Sequence, residues 1–180
     1  MMKKPLILCL ATLTLIHLSC TKEVTELPPA TQEGLNTFGC KVDGKFWVPQ
    51  GFGSFPANDI LDAHFASGDL YINARNFSSS PTETEFEIFI KGASVEGVYL
   101  LNTTTSYSST AASYGYYVHR QINPDNEWIT STQYTGSVTI TRIDMVNHFV
   151  SGTFTFQAIN LYNAPAPISV TEGRFDVKTQ

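Results

Sequence analysis

The residues that could perform acid–base chemistry form no recognised catalytic pattern. Glu83, Glu85 and Glu87 alternate along one predicted strand, and paired carboxylates can act as general acid and base when the pKa of one of them is raised. Their spacing beside threonines is instead typical of a solvated face on an edge strand, where charges deter aggregation. The sequence also lacks the H-E-x-x-H, G-x-S-x-G, P-loop and C-x-x-C motifs. We therefore predict no catalytic residues.

Residue types that bind metals are present but widely separated. His64, His119 and His148 are far apart in the sequence, whereas zinc ligands usually come in closely spaced pairs. Residues 124–127, Pro-Asp-Asn-Glu, lack the regular ligand spacing of a calcium loop and are more typical of a turn. The sequence predicts neither a metal site nor a cofactor.

The segment that most favours ligand binding spans residues 102–117. A run rich in Ser and Thr contains Tyr107 and leads to Tyr114, Tyr116 and Tyr117. Tyrosine supplies rigid contact area and Ser and Thr supply adaptable hydrogen bonds, as in recognition loops, and exposed rings can stack on sugars. These four tyrosines are the predicted ligand-binding residues. The alternative is a loop that enters a Tyr-rich strand whose alternate side chains pack inward.

The amino terminus has the form of an export signal. Lys3 and Lys4 precede the apolar run 5–19, which is shorter than the roughly 20 residues of a membrane-spanning helix and predicts a secretory signal peptide. Ser19-Cys20 at its end resembles the lipobox of bacterial lipoproteins, although His17 stands where that pattern prefers Leu. The resemblance implies lipid attachment at Cys20 and an outer-membrane location, on either the periplasmic or the exposed side. An ordinary signal peptide with an incidental cysteine, or an uncleaved anchor, is the alternative.

Composition limits both the fold and the partners. The 180 residues suit one domain, and a charged fraction of 15% argues against coiled coils and charge-driven disorder. Eleven basic against sixteen acidic residues argue against binding to nucleic acid, which requires a basic surface. With Cys20 carrying lipid, Cys40 has no disulfide partner and is predicted to be a small buried hydrophobe.

The chain divides into three predicted parts. A signal peptide covers residues 1–19, and residues 20–36 form the lipidated amino terminus and a tether. This tether contains Pro28-Pro29 and little apolar periodicity, a composition typical of flexible or polyproline-like linkers. Residues 37–180 form a single β domain.

Alternation of apolar and polar residues with a period of two dominates the β domain. Asp43-Gly44 between apolar runs predicts a two-residue hairpin, with Trp47 packed onto the core. A phase break at Glu172-Gly173 predicts a β-bulge in the last strand. We expect about nine or ten strands, and their short connections favour an antiparallel β-sandwich or flattened barrel.

Both ends of the domain resemble a known family. The segments that carry the resemblance are 38–49 at the start, 136–144 and 150–156 near the end, and 171–177 at the close. Together they resemble a family of uncharacterised Bacteroidota lipoproteins known as a domain of unknown function, over about residues 37–178. The resemblance implies an exported β domain on a lipid anchor. It brings no established catalytic residues.

Two functions of different class remain at this point. The first is a non-catalytic binding or accessory module, attached to the membrane by its lipid and binding a glycan or an envelope protein. The second is a small cell-envelope hydrolase or inhibitor with a site assembled across strands. Only analogy supports the second, because β folds host many unrelated activities.

Overall fold

The computed structural model describes residues 24–51, 60–79, 82–120, 126–162 and 166–180. The predicted signal peptide and Cys20 lie outside these residues, as do Pro124 and Asp125 of the predicted turn. The described residues form eleven strands and no helix, which confirms the all-β prediction with slightly more strands than expected. No described segment is a helix of the length and apolarity needed to cross a membrane.

The eleven strands are numbered in chain order. They are β1 Thr37–Val42, β2 Lys45–Trp47, β3 Leu61–Ala66, β4 Asp69–Asn76, β5 Thr84–Ile90, β6 Gly97–Leu101, β7 Tyr114–His119, β8 Asn126–Ile129, β9 Gly136–Asp144, β10 Phe149–Asn160 and β11 Ile168–Lys178. Every pairing between them is antiparallel.

One continuous sheet curls into two facing layers. The main strand order is β2-β1-β11-β10-β8-β7-β5-β4-β3, and β9 and β6 extend from β10 on a branch. The long strand β10 pairs with β9 along Phe149 to Phe156 and with β8 at Ile159 and Asn160. It therefore passes from a first layer, β6-β9-β10-β11-β1-β2, into a second layer, β8-β7-β5-β4-β3.

Alternate side chains of both layers meet in one hydrophobic core. Leu70, Ile72 and Ala74 of β4 point into it, as the period of two requires. Cys40 of β1 is completely buried there, and burial raises the pKa of its thiol. The prediction of a small buried hydrophobe at this position is confirmed.

The first hairpin forms where its sequence predicts it. Asp43 and Gly44 have φ angles of 49° and 79°, the left-handed conformation that this turn requires, and β1 pairs with β2 on either side. Trp47 is 7% exposed. Its Nε1 donates a hydrogen bond to Thr84 Oγ1 at 2.8 Å, so the hairpin closes onto the second layer.

The last strand contains the predicted irregularity. On the β1 side Glu172 and Gly173 lie opposite the single residue Cys40. On the β10 side the register shifts between Phe154 and Phe156, next to Glu172, and Glu172 has a φ of 53°. The extra residue returns the apolar side chains that follow it to the core face.

The segment before β1 differs from the predicted flexible tether in its second half. The Asp176 carboxylate, buried on β11, accepts hydrogen bonds from Thr31 Oγ1 at 2.6 Å and from the backbone N–H of Glu33, Gly34 and Leu35 at 2.9–3.1 Å. Residues 31–35 are therefore part of the folded domain. The segment has the composition of a linker, and its sequence gives no sign of this contact because Asp176 lies at the other end of the chain.

Candidate ligand-binding site

Side chains on the solvent side of the second layer align in three rows across the strands. The pairing registers place them opposite one another, and we call this surface the outer face. The aromatic row is His64, Tyr71, Phe89 and Tyr114; the polar row is Asp62, Asn73, Glu87 and Tyr116; the ionic row is Arg75, Glu85, Val118 and Glu127.

The aromatic row is a chain of ring contacts across four strands. His64 stacks on Tyr71 with 4.9 Å between centroids and 7° between planes. Tyr71 contacts Phe89 at 4.8 Å, and Phe89 contacts Tyr114 at 5.4 Å. Phe89 and Tyr114 are completely buried, although they point away from the main core. A second, smaller hydrophobic cluster therefore lies on the outer face of the second layer.

The loop between β6 and β7 covers this second cluster. Its Tyr107 ring lies on Tyr116 with centroids 4.0 Å apart and planes inclined by 18°, and it meets Tyr114 edge-on at 6.5 Å. The Ser108 N–H donates to Tyr114 Oη at 3.1 Å. Tyr107 itself remains 44% exposed, so it presents aromatic surface above a buried aromatic layer.

The tyrosine hydroxyls of the outer face are tied to carboxylates. Tyr114 donates a hydrogen bond to Glu87. Tyr116 and Tyr162 each donate to a different oxygen of Glu127 at 2.7 Å. Burial, and then the hydrogen bonds to the glutamates, raise the pKa of Tyr114 and Tyr116. Both phenols therefore remain protonated donors at neutral pH.

Glu85 lies between two arginines. Arg120 Nε is 3.0 Å from one carboxylate oxygen, and Arg75 Nε is 3.9 Å from the other. Burial raises the pKa of Tyr107, and Glu87 and then Glu85 raise it further. The Tyr107 hydroxyl thus lies within the field of this charged group.

The prediction that residues 83–87 form a solvated edge face is wrong. Strand β5 lies inside the sheet, between β4 and β7. The two glutamates of β5 instead accept hydrogen bonds from Tyr114 on the neighbouring strand β7 and from Arg120, which follows β7 directly. Alternation identifies the face of a strand on which a charge lies, but it carries no information about which strands flank it.

Three of the four predicted binding tyrosines come together, and the fourth does not. Tyr107, Tyr114 and Tyr116 form the cluster just described. Tyr117 points to the opposite side of β7, where its ring contacts Phe86 at 4.7 Å and Trp128 at 5.7 Å. Burial there raises its pKa to about 12. Tyr117 is a core residue that no ligand on the outer face can touch.

Sequence reasoning missed the other half of the aromatic row. His64, Tyr71 and Phe89 lie on β3, β4 and β5, far from the tyrosines in sequence, and only the strand register brings the rows together. The alternation of Tyr71 with Leu70 and Ile72 is the sequence signal for an outward aromatic at this position. Among the described residues no three His, Cys, Asp or Glu side chains are arranged to hold a metal ion.

Comparison with protein families identifies the domain. The family model described as Domain of unknown function (DUF6252) matches residues 37–176. The chain belongs to this family. The match includes all the outer-face residues in the three rows and Tyr107, so the candidate site is part of the DUF6252 domain. Comparisons with curated proteins and with solved structures find no match.

Proposed function

We propose that this DUF6252 protein is a non-catalytic binding or accessory module of the bacterial cell envelope, anchored to the outer membrane through lipid on Cys20. Support comes from the basic start, the short apolar run and Ser19-Cys20 at its end. One acyl chain binds a membrane only marginally, whereas two or three give stable attachment. Such an anchor would hold the β domain at the membrane surface, within reach of envelope polymers.

The outer face around Tyr107 is the proposed ligand-binding surface. The observation that carries the proposal is the stacking of Tyr107 on Tyr116 while Tyr107 keeps 44% of its surface exposed. The buried layer beneath holds the ring in place, so little conformational entropy is lost when a ligand stacks on it. Such a preorganised aromatic surface is suited to binding rather than to bond cleavage.

The ligand class that fits this surface is a glycan. A sugar ring offers an apolar face for stacking on Tyr107 and hydroxyl groups at its edge. Arg120 is partly exposed beside Glu85, and Tyr162 is half exposed beside Glu127, so donors and acceptors for those hydroxyls lie on the same surface. The carboxylates already accept hydrogen bonds from Tyr114, Tyr116 and Arg120, which favours fixed recognition over proton transfer.

A binding screen with the full chain tests this function. Cys20→Ser removes the proposed lipid site, and the protein is then screened against glycans and envelope extract. Tyr107→Ala should weaken binding by about 1–3 kcal/mol, by analogy with the stacking of bases on aromatic rings. Phe46→Ala is the matched control, because Phe46 is an exposed aromatic on β2 of the other layer. Binding that survives Tyr107→Ala, or binding to an envelope protein alone, would refute the glycan site.

A further inference from the structure

Strand β6 is an open edge of the first layer with apolar side chains exposed on it. Within the described residues it pairs with β9 on one side and with no strand on the other. Val98 is 64% exposed and Leu100 is 59% exposed. Both point to the solvent side of the layer, while Tyr99 and Leu101 between and after them pack inward. An edge of this kind offers unpaired backbone groups together with apolar surface.

The other edges of the sheet are protected in ways that β6 is not. Strand β2, at the opposite edge of the first layer, has three residues and begins with a lysine. Strand β3, at the edge of the second layer, receives the carboxyl-terminal residue, since Gln180 N–H donates to Ala63 O at 3.0 Å. Residues 97–105, by contrast, include no charged residue and no proline, and the register of β6 with β9 is unbroken over its length. Charges, prolines, bulges and covers are the usual means of blocking an edge, so β6 remains available for pairing.

We infer that β6 pairs antiparallel with β6 of a second copy of this chain, about a two-fold axis at Tyr99. In that register Val98 of each copy lies opposite Leu100 of the other copy. Both exposed apolar residues therefore gain an apolar neighbour. Glu96 lies opposite Asn102 rather than opposite the second Glu96, and no like charges meet across the pair. The contact is self-complementary, as a two-fold interface requires, and it joins the two first layers into one continuous sheet.

This pairing is independent of the proposed ligand site. The outer face belongs to the second layer, whereas β6 belongs to the first, so the dimer contact uses none of the outer-face residues. The two proposals can therefore fail separately, because dimerisation is measured by sedimentation and the ligand site by ligand binding.

Sedimentation of the full chain carrying Cys9→Ser and Cys20→Ser tests self-association. We expect a concentration-dependent monomer–dimer equilibrium. The double variant Val98→Lys with Leu100→Lys places lysine opposite lysine and should weaken it by about tenfold or more, since like charges directly opposite destabilise a strand pair. Val146→Lys is the control, because Val146 is 86% exposed in the turn between β9 and β10. A single monomer mass up to about 1 mM, or a dimer that the double lysine variant leaves intact, would overturn the proposal.

Cysteine cross-linking in the same background tests the register and tolerates small changes in fold stability. An oxidised mixture of Val98→Cys and Leu100→Cys proteins should form a disulfide-linked dimer, because directly opposite residues bring their Cα atoms within bonding range. Each variant alone should cross-link much less, since the identical residues are diagonal to one another. Equal cross-linking in the mixture and in the single variants, or none in any of them, would exclude the two-fold pairing at Tyr99.

Discussion

Tyr107 lies flat on Tyr116, with 4.0 Å between ring centroids and 18° between ring planes. One ring belongs to the loop between β6 and β7 and the other to β7 itself. Tyr116 is buried by this contact, and Tyr107 keeps a large exposed surface. The lower ring therefore supports the loop, and the upper ring is the one that we propose to contact a ligand.

Replacing Tyr107 and Tyr117 by alanine, one at a time, should lower the free energy of unfolding by very different amounts. We expect Tyr107→Ala to lower the free energy of unfolding by about 1 kcal/mol or less, because the ring is half exposed. Tyr117→Ala should cost about 3–5 kcal/mol, since it leaves a cavity among buried aromatic rings. Urea unfolding of the two variants gives both values. Equal losses would contradict the assignment of the two residues to different sides of the sheet.

The hydroxyl of Tyr114 should hold the covering loop in place. Tyr114→Phe removes the donor to Glu87 and the acceptor of the Ser108 N–H, and loss of hydrogen bonds at a buried site costs about 1–3 kcal/mol. Hydrogen exchange in residues 102–113 should become faster than in the native protein. Tyr99→Phe serves as the control, because the Tyr99 hydroxyl donates to the carbonyl of the exposed Val95 and accepts from the N–H of the same residue. This variant should leave the exchange of residues 102–113 unchanged. Unaltered exchange in both variants would show that the loop is held by other contacts.

Local features of this fold were predictable because they depend on neighbouring residues. The period of two places Leu70 and Ile72 inward and Tyr71 outward whatever strand lies beside them. Asp43-Gly44 specifies its hairpin through the φ angles that these two residues tolerate. The same reasoning places Tyr117 opposite to Tyr114 and Tyr116 on β7.

Features that depend on strand order were not predictable in this way. The two sides of β5 were evident, but its position inside the sheet depends on pairing with β4 and with β7, which lie at very different sequence distances. Without that order Glu85 appeared to be a solvated edge charge, and the aromatic row from His64 to Tyr114 could not be assembled. The pattern of a single strand shows which side chains share a face. The register between strands decides which of those side chains come together in a site on the sheet.

The hairpin turn offers a test of backbone conformation alone. A Cβ atom at Gly44 would meet no atom within 4 Å beyond the two neighbouring residues, so we expect the effect of Gly44→Val to come from the φ of 79°. A β-branched residue resists this conformation, and we expect a loss of about 1 kcal/mol or more in the free energy of unfolding. Gly44→Asn should retain most of the stability, because Asn tolerates left-handed φ angles. Equal melting temperatures for valine and asparagine at this position would contradict the explanation.

Lipid attachment at Cys20 has a direct chemical test. Cells that express the full chain and are fed a fatty-acid analogue should incorporate the label into the protein, and the protein should fractionate with the outer membrane. Cys20→Ala should abolish both results, because no other cysteine follows the apolar run before the domain. Cys40→Ala is the control that keeps the label, since Cys40 is buried in the core. Labelling that persists in the Cys20→Ala protein would refute the anchor.

The free energy of unfolding should depend on pH through the ionisation of the buried Asp176 carboxylate. Burial acts to raise its pKa, but the hydrogen bonds from Thr31, Ser151 and the 33–35 backbone outweigh burial and lower the pKa to about 2 from 3.8. Because the folded state holds the proton more weakly than the unfolded state, the contribution is complete above the unfolded pKa and is lost as pH falls toward 2. The difference between these pKa values corresponds to about 2 kcal/mol.

The variant Asp176→Asn removes that ionisation. At pH 7 it should lower the free energy of unfolding by about 2–3 kcal/mol, and proteases should cut residues 24–35 faster, because this segment loses its main hydrogen-bond acceptor. Ser151→Ala removes a single donor to the carboxylate and should cost less. Denaturation of the native and Asp176→Asn proteins at pH 7 and near pH 3 measures the linkage, and the gap between them should narrow at the lower pH. A gap that does not change with pH would mean that the carboxylate charge does not hold the amino-terminal segment on the domain.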